Sequence, residues 1–222
     1  MIRQSILYCL ITRHNLLLLV LKKMIVACNP DGIKLAAITV KNGGLVVFPT
    51  DTVYGMGCDP RNPKAIDSIY RIKKRAESKN LPVLGYSKRE ISKIVIFDKL
   101  SNKIANKFWP GPVTLVLKLK DKGISKSMKL GDRIAVRVPN HPCVLSLLKE
   151  CKLIVGTSAN YSGNPPFSDS KEVLENFSGF DVFLDGGRIS NSNESTVVEI
   201  VEGNLKILRP GKITKTELTT LL

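Results

Sequence analysis

Lys73, Lys74 and Arg75 set three cations in a row, and Arg133 and Arg137 stand four residues apart in a stretch that alternates like a strand. Strand positions i and i+4 share a face, so the second pair offers two guanidiniums to one side. Such groups bind phosphate or carboxylate. Arg does so with two parallel N–H bonds that Lys cannot reproduce. Two polar segments supply neutral partners: Phe48-Pro49-Thr50-Asp51-Thr52-Val53-Tyr54-Gly55 and Gly156-Thr157-Ser158-Ala159-Asn160-Tyr161-Ser162-Gly163. Each directly follows an apolar run, and ligands of open α/β sheets settle at strand ends of this kind. The competing reading is that Pro, Asn, Ser and Gly are turn formers and that the lysines lie on a solvated helix face. Taken together, these features predict a pocket with phosphate-binding cations and neutral hydrogen-bond donors.

Other chemistries are excluded by what is missing. There is no G-x-x-x-x-G-K-[ST] loop, and Gly55-Met56-Gly57 runs into Asp59-Pro60 without a third glycine. Gly156-Thr157-Ser158 continues as Ala159-Asn160, so no nucleophile elbow forms. His14 and His141 are the only histidines, too few for a His-based metal site or a Ser-His-Asp hydrolase. No protein-held metal is expected. Cysteines at 9, 28, 58, 143 and 151 are odd in number and lack C-x-x-C spacing. They read as reduced, inert thiols in a cytoplasmic chain, with no disulfide framework.

The elements that must position these groups come from 222 residues, enough for one large domain with its own core. The net charge of +15 invites a polyanion. It is concentrated between residues 61 and 107, where 13 Lys/Arg face 4 Asp/Glu. Residues 1–23 read as a separate extension. Its longest clean apolar run, Leu16–Leu21, is far short of the ~20 residues that span a bilayer, so no membrane anchoring is expected. Either translation starts at Met24 or the segment is a loosely attached helix.

Residues 24–222 read as one domain. Asn29-Pro30-Asp31 starts a helix carrying Ile33, Ala36, Ala37 and Val40, stopped by Asn42-Gly43-Gly44. Leu45–Phe48 is a buried strand, and Asn62-Pro63 opens a second helix. Further strands are predicted at Leu81–Tyr86, Val113–Lys120, Arg133–Val138, Leu153–Val155, Val182–Leu184, Thr196–Val201 and Leu205–Leu208. Helices follow Ser87, Pro142, Asp169 and Thr214. The fold class is α/β (α+β), a twisted mixed sheet with helices packed on it.

The chain resembles the YrdC family of threonylcarbamoyl-adenylate synthases. Residues 43–55 resemble G-G-x-V-x-F-P-T-[DE]-T-V-Y-G, and Lys73-Lys74-Arg75 resembles K-x-R. Trp109–Thr114, Ala135–Pro142 and Thr157–Gly163 resemble W-P-G-P-[LV]-T, A-V-R-x-P-x-H-P and T-S-A-N-x-S-G. Asp185-Gly186-Gly187, Ser195–Val198 and Leu208–Gly211 complete an ordered set. Ala76 and Asn80 stand where the family commonly has Pro, and Ser192 where it has Gly. The resemblance is to the single-domain members.

The resemblance implies a YrdC-like fold and a reaction joining L-threonine, bicarbonate and ATP into threonylcarbamoyl-adenylate and pyrophosphate, for tRNA threonylcarbamoyladenosine formation. It implies Lys73, Arg75, Arg133, Ser158, Asn160 and Arg209 for ATP, with Lys73 and Arg75 catalytic. Thr50, Arg137 and Ser195 are implied for threonine, with Mg²⁺ riding on the triphosphate. A downstream threonylcarbamoyl transferase complex would receive the product. Trp109, Pro110, Pro112 and His141 are expected to serve core, turn and helix start, and Asp51 and Asp185 to stabilise turns. Two alternatives stay open: a module binding tRNA or double-stranded RNA without chemistry, and a relative making another carbamoyl-adenylate.

Overall fold

A computed structural model describes residues 24–190, 193–201 and 203–221. The extension 1–23, Ser192 and Glu202 lie outside the described residues. Strand β1 (Met24–Ala27) leads to helix α1 (Pro30–Lys41), where Asn29 caps by accepting the Gly32 N–H at 2.9 Å. Strands β2 (Val46–Phe48) and β3 (Gly55–Cys58) flank the first polar segment. Helix α2 (Pro63–Lys73) begins at the Asn62 cap and ends on Lys74, whose left-handed backbone (φ 51°) turns the chain toward Arg75.

Next come β4 (Val83–Gly85), α3 (Lys88–Ser92), β5 (Val95–Ile96), α4 (Lys99–Phe108), β6 (Val113–Leu119), α5 (Lys122–Ser127) and β7 (Arg133–Arg137). Helix α6 (Pro142–Cys151) starts on His141, whose Nδ1 accepts the Cys143 N–H at 3.2 Å. Strand β8 (Leu153–Ser158), α7 (Ser170–Asn176), β9 (Val182–Asp185), β10 (Thr196–Val201), β11 (Asn204–Arg209) and α8 (Lys215–Thr219) finish the chain. Thr214 and Glu217 form the expected reciprocal cap of α8.

Among the described residues the strands form one mixed sheet in the order β1-β9-β2-β3-β8-β4-β7-β6-β10-β11, with β5 on β6. Period-two alternation sends successive residues to opposite faces. Val46, Phe48, Leu84, Ile154, Val182 and Leu184 meet α1 and α6, through Ile33, Ala36, Ala37, Val144, Leu147 and Leu148. Val47, Met56, Val83, Val136, Val155 and Phe183 face the larger core, shared with α2, α4, α5, α7 and α8. The mixed sheet with helices packed on it is the architecture expected from the sequence. No helix among the described residues is long and apolar enough to cross a membrane.

Three features depart from the sequence reading. Gly55–Cys58 is a central strand, not the tail of a loop. A Cβ at Gly57 would run into the backbone carbonyl of Val155 on β8, so glycine is what lets these strands pair. Helices α4 and α5 and the short β1 and β5 also escaped notice. Lastly, Cys28 and Cys143 form a disulfide, with Cα atoms 5.5 Å apart. This corrects the expectation of reduced cysteines. The two lie 115 residues apart and only the packing of α1 against α6 joins them, so no local spacing announces the pair. Cys58 and Cys151 are free thiols. Burial pushes Cys58 far above the ordinary thiol range and Cys151 up to about 11.

Candidate active site

The register of the sheet brings one polar residue from each of several neighbouring strands to a single edge. Ser158 pairs with Gly55 across β8 and β3, and Leu84 of β4 pairs with Arg137 of β7. Thr114 of β6 follows, then Ser195 just ahead of β10, then Arg209 at the end of β11. These residues line a cavity of about 240 Å³, with Thr50, Thr52, Lys73, Arg75, Lys79, Asn160 and Glu194. Gly55 and Gly156 also line it, and a Cβ on either would strike the side chain of Phe48 or Leu84.

Lys73 reaches in from the last turn of α2 and is 1% exposed. Its ammonium donates to the Ser158 carbonyl at 2.5 Å, the Asn160 carbonyl at 2.6 Å and Asn160 Oδ1 at 3.1 Å. Three N–H donors thus meet three acceptors. Burial, then the neighbouring Arg75, pull its pKa down to about 8, while Glu194 opposes the shift. Asn160 Nδ2 donates to the Asn164 carbonyl at 2.5 Å, which fixes the amide's orientation.

Arg75 follows the left-handed Lys74. It donates from Nε to the Lys79 carbonyl at 2.9 Å and from Nη2 to the Asn80 carbonyl at 3.2 Å. Both acceptors are neutral, so its charge remains available, although burial and then Arg209 lower its pKa, against an opposing Tyr70. Among the described residues no carboxylate lies within ion-pair distance of Lys73, Arg75 or Lys79.

Arg209 is held differently. Nη1 meets Glu194 at 2.5 Å, and Nη2 donates to the Ser195 carbonyl at 2.9 Å and to Ser195 Oγ at 3.1 Å. Ser195 Oγ also hydrogen-bonds Thr114 Oγ1 at 2.9 Å. Arg137, also buried, ion-pairs with Asp51 at 2.6 Å. It also donates to the Gly111 carbonyl at 2.9 Å and to Thr52 Oγ1 at 3.2 Å.

Eight of the nine residues singled out from the sequence therefore line one cavity: Thr50, Lys73, Arg75, Arg137, Ser158, Asn160, Ser195 and Arg209. Arg133 does not. Three strand residues lie between it and Arg137, four steps or roughly 13 Å along β7. There it pairs with Glu199 at 2.9 Å and donates to the carbonyls of Val116 and Ile200. Sharing a face did not mean sharing a site. Thr50 lines the cavity but spends its hydroxyl on its own turn, donating to the Val53 carbonyl at 2.7 Å and accepting the N–H groups of Thr52 and Val53. Asp51 is more than a turn carboxylate, since its main partner is Arg137.

The sequence reading passed over Thr52, Lys79, Thr114 and Glu194. The alternation of β6 put Thr114 opposite its apolar face, and Glu194 adjoins Ser195, so neighbourhood alone was a usable signal for both. Trp109 and His141 serve the fold as expected: Trp109 Nε1 donates to the Val113 carbonyl at 2.6 Å, and His141 caps α6.

Residues 39–211 match the Sua5/YciO/YrdC family model, described as "Telomere recombination". A Bacillus subtilis threonylcarbamoyl-AMP synthase is 33% identical over 204 residues, covering 87% of this chain and 57% of that protein. A Methanocaldococcus jannaschii relative is 35% identical over 180 residues, 78% of this chain and 83% of that one. Among solved structures, Pyrococcus abyssi Sua5 complexed with L-threonine superposes with a TM-score of 0.81 at 30% identity, over 90% of this chain and 60% of that one. The chain thus spans less than two thirds of the Bacillus and Pyrococcus proteins. With the ordered motifs assembled around one cavity and more than half of the chain matched, this protein belongs to the Sua5/YciO/YrdC family.

Proposed function

We propose that the chain makes threonylcarbamoyl-adenylate and pyrophosphate from L-threonine, bicarbonate and ATP, acting as a nucleotidyltransferase. The observation that carries this reading is the charge distribution of the cavity. Lys73, Arg75 and Lys79 lack acidic partners among the described residues, while hydroxyls and amides line the sheet edge beside them. A triphosphate needs the first group, and an amino acid with a hydroxyl side chain suits the second. The name of the Bacillus relative and the threonine-bound Pyrococcus structure point the same way.

The chemistry asks for little beyond positioning and charge. The amine of threonine, once deprotonated, attacks the carbon of bicarbonate, water leaves, and a carbamate forms. A carbamate oxygen then attacks the α-phosphorus and pyrophosphate departs. Such transfers depend on alignment and on cations facing the developing phosphate charge. Arg75 and Lys79 supply that charge, and Arg209, paired with Glu194, adds N–H donors beside them. Lys73 holds the Ser158–Asn160 segment in place while adding its own charge.

Mg²⁺ enters with ATP as part of the substrate. Glu194 is the one carboxylate lining the cavity among the described residues, and Arg209 occupies it. Those donors do not make a protein cage for a divalent ion. We place the reaction in the cytoplasm, with the adenylate passing to a threonylcarbamoyl transferase complex that modifies tRNA. Most cations of the 61–107 stretch lie outside the cavity, and direct RNA binding through them would show a steep loss of affinity with salt.

The deciding experiment is incubation with ATP, threonine and bicarbonate. Pyrophosphate and a product of the adenylate's mass are expected together, and only when all three substrates are present. Pyrophosphate release that ignores threonine would sink this reading.

A further inference from the structure

Of the two buried cations in the cavity, Lys73 and Arg137, only Arg137 has a counter-ion among the described residues. The Arg137 side chain is 7% exposed and that of Asp51 12% exposed, with Nη2 and Oδ1 2.6 Å apart. The same Asp51 oxygen accepts the Asn140 N–H at 2.9 Å. One carboxylate therefore ties the segment after β2 to the end of β7 and the approach to α6.

Arg137 spends its remaining fixed bonds on the Gly111 carbonyl and Thr52 Oγ1. Thr52 Oγ1 lies 3.0 Å from Thr50 Oγ1, which the turn locks in place. A guanidinium has five N–H donors, so two remain after these three bonds. With Asp51 against it, Arg137 offers directional donors and little net charge. Arg75 is the opposite case, bonded only to neutral carbonyls and keeping its charge. Carboxylate and phosphate are drawn to Arg75, whereas an uncharged hydroxyl suits the floor at Arg137 and Thr52.

We propose that Asp51 sets the amino-acid specificity of this cavity: by cancelling the charge of Arg137, it leaves Arg137 and Thr52 as a neutral, directional pair that reads the substrate's side-chain hydroxyl. Arg137 and Thr52 touch the substrate, and Asp51 is a positioning residue acting through Arg137. This inference rests on the reading that threonine is the amino-acid substrate. It departs from the expectation that Arg137 grips the substrate carboxylate.

The test compares kcat/KM for threonine and for valine, which replaces the hydroxyl by a methyl, at fixed ATP and bicarbonate. A site built to bond a hydroxyl rejects the analogue lacking it by far more than a methyl-sized difference, on the order of 10²-fold or beyond. Asp51→Asn is expected to lower the threonine-to-valine ratio at least ~10-fold, through loss on threonine, with KM for ATP within about twofold of the unmutated protein. Asp51→Glu should restore most of the ratio.

Thr52→Val keeps the ion pair and should lower the ratio by a similar factor, and it decides the matter if Asp51→Asn fails to fold. An unchanged ratio in folded Thr52→Val would overturn the inference. So would KM for ATP rising in Asp51→Asn as steeply as KM for threonine. An unmutated protein that adenylates threonine and valine equally would also overturn it. An unmutated protein that makes no adenylate from threonine fails the parent reading instead.

Discussion

Lys73 holds Asn160 twice, donating to its backbone carbonyl at 2.6 Å and to its side-chain oxygen at 3.1 Å. A helix end and a strand-end segment 87 residues apart are thereby fixed to one another. The clamp also explains how a lysine can be 1% exposed in a protein core: every donor on it is used.

Lys73→Ala should reduce adenylate formation at least ~100-fold, because it removes a charge beside the phosphates and frees the Ser158–Asn160 segment. It should also cost stability, about 1–3 kcal/mol for acceptors left without donors. Arg75→Ala should reduce the rate comparably and leave the melting temperature nearly unchanged, since its bonds lie within the exposed 75–80 segment. Pyrophosphate release and thermal unfolding on the same preparations separate the two effects.

Proton uptake on ATP binding is the expected signature of Lys73. Burial and Arg75 lower its pKa to about 8, so near pH 8 roughly half of the free protein carries a neutral Lys73. A nearby triphosphate favours the charged form and raises that pKa. Binding at pH 8 should therefore take up protons, up to about half a proton per site, and almost none at pH 6.5, where Lys73 is already charged. Above pH 8 the affinity for ATP should weaken as the free lysine loses its proton. Calorimetry in buffers of different ionisation enthalpy reads the uptake, and Lys73→Met should abolish it.

The legible parts of this molecule are those whose physics is local. Caps at Asn29, Asn62 and Thr214 announced α1, α2 and α8, and alternation announced β6 and β7. Ordered motifs gathered most of the cavity. Strand β3 was hidden because Gly-Met-Gly-Cys carries no β-branched residue, and its glycines answer to β2 and β8 rather than to their own chain neighbours. Helix α4 was readable in hindsight: Leu100, Ile104 and Phe108 recur every fourth residue behind an Asp98 cap. The counter-ions were not readable at all. Asp51 for Arg137 and Glu199 for Arg133 are tertiary partners, and they decide which arginine belongs to the cavity and with what charge.

The Cys28–Cys143 bridge should be measurable as a stability term. It closes a long loop, and in the chain-entropy account such a cross-link is worth roughly 4–5 kcal/mol against the unfolded chain. Alkylation under denaturing conditions before and after reduction should show two cysteines protected in the unreduced protein. Reduction, or Cys143→Ser, should lower the melting temperature by several degrees. Full alkylation of unreduced protein would refute the bridge and restore the expectation of free thiols.

Arg133 supplies the sharpest contrast with its neighbour on β7. It ion-pairs with Glu199 at 2.9 Å, and its Nη2 donates to carbonyls of β6 and β10 at 3.0 and 3.1 Å, so it fastens three strands together outside the cavity. Replacing it by Met keeps the aliphatic stem but removes one ion pair and two hydrogen bonds. The pair is about a third exposed on the arginine side, so its Coulomb share is modest, and the larger loss is the two carbonyls left without a donor. Arg133→Met should destabilise the fold by roughly 1–2 kcal/mol while KM for ATP and for threonine stay within about twofold. Arg137→Met should do the reverse in kinetics, impairing threonine use severely. Denaturant unfolding and steady-state assays on both variants make the comparison. A large rise in KM for ATP in folded Arg133→Met would return Arg133 to the nucleotide site.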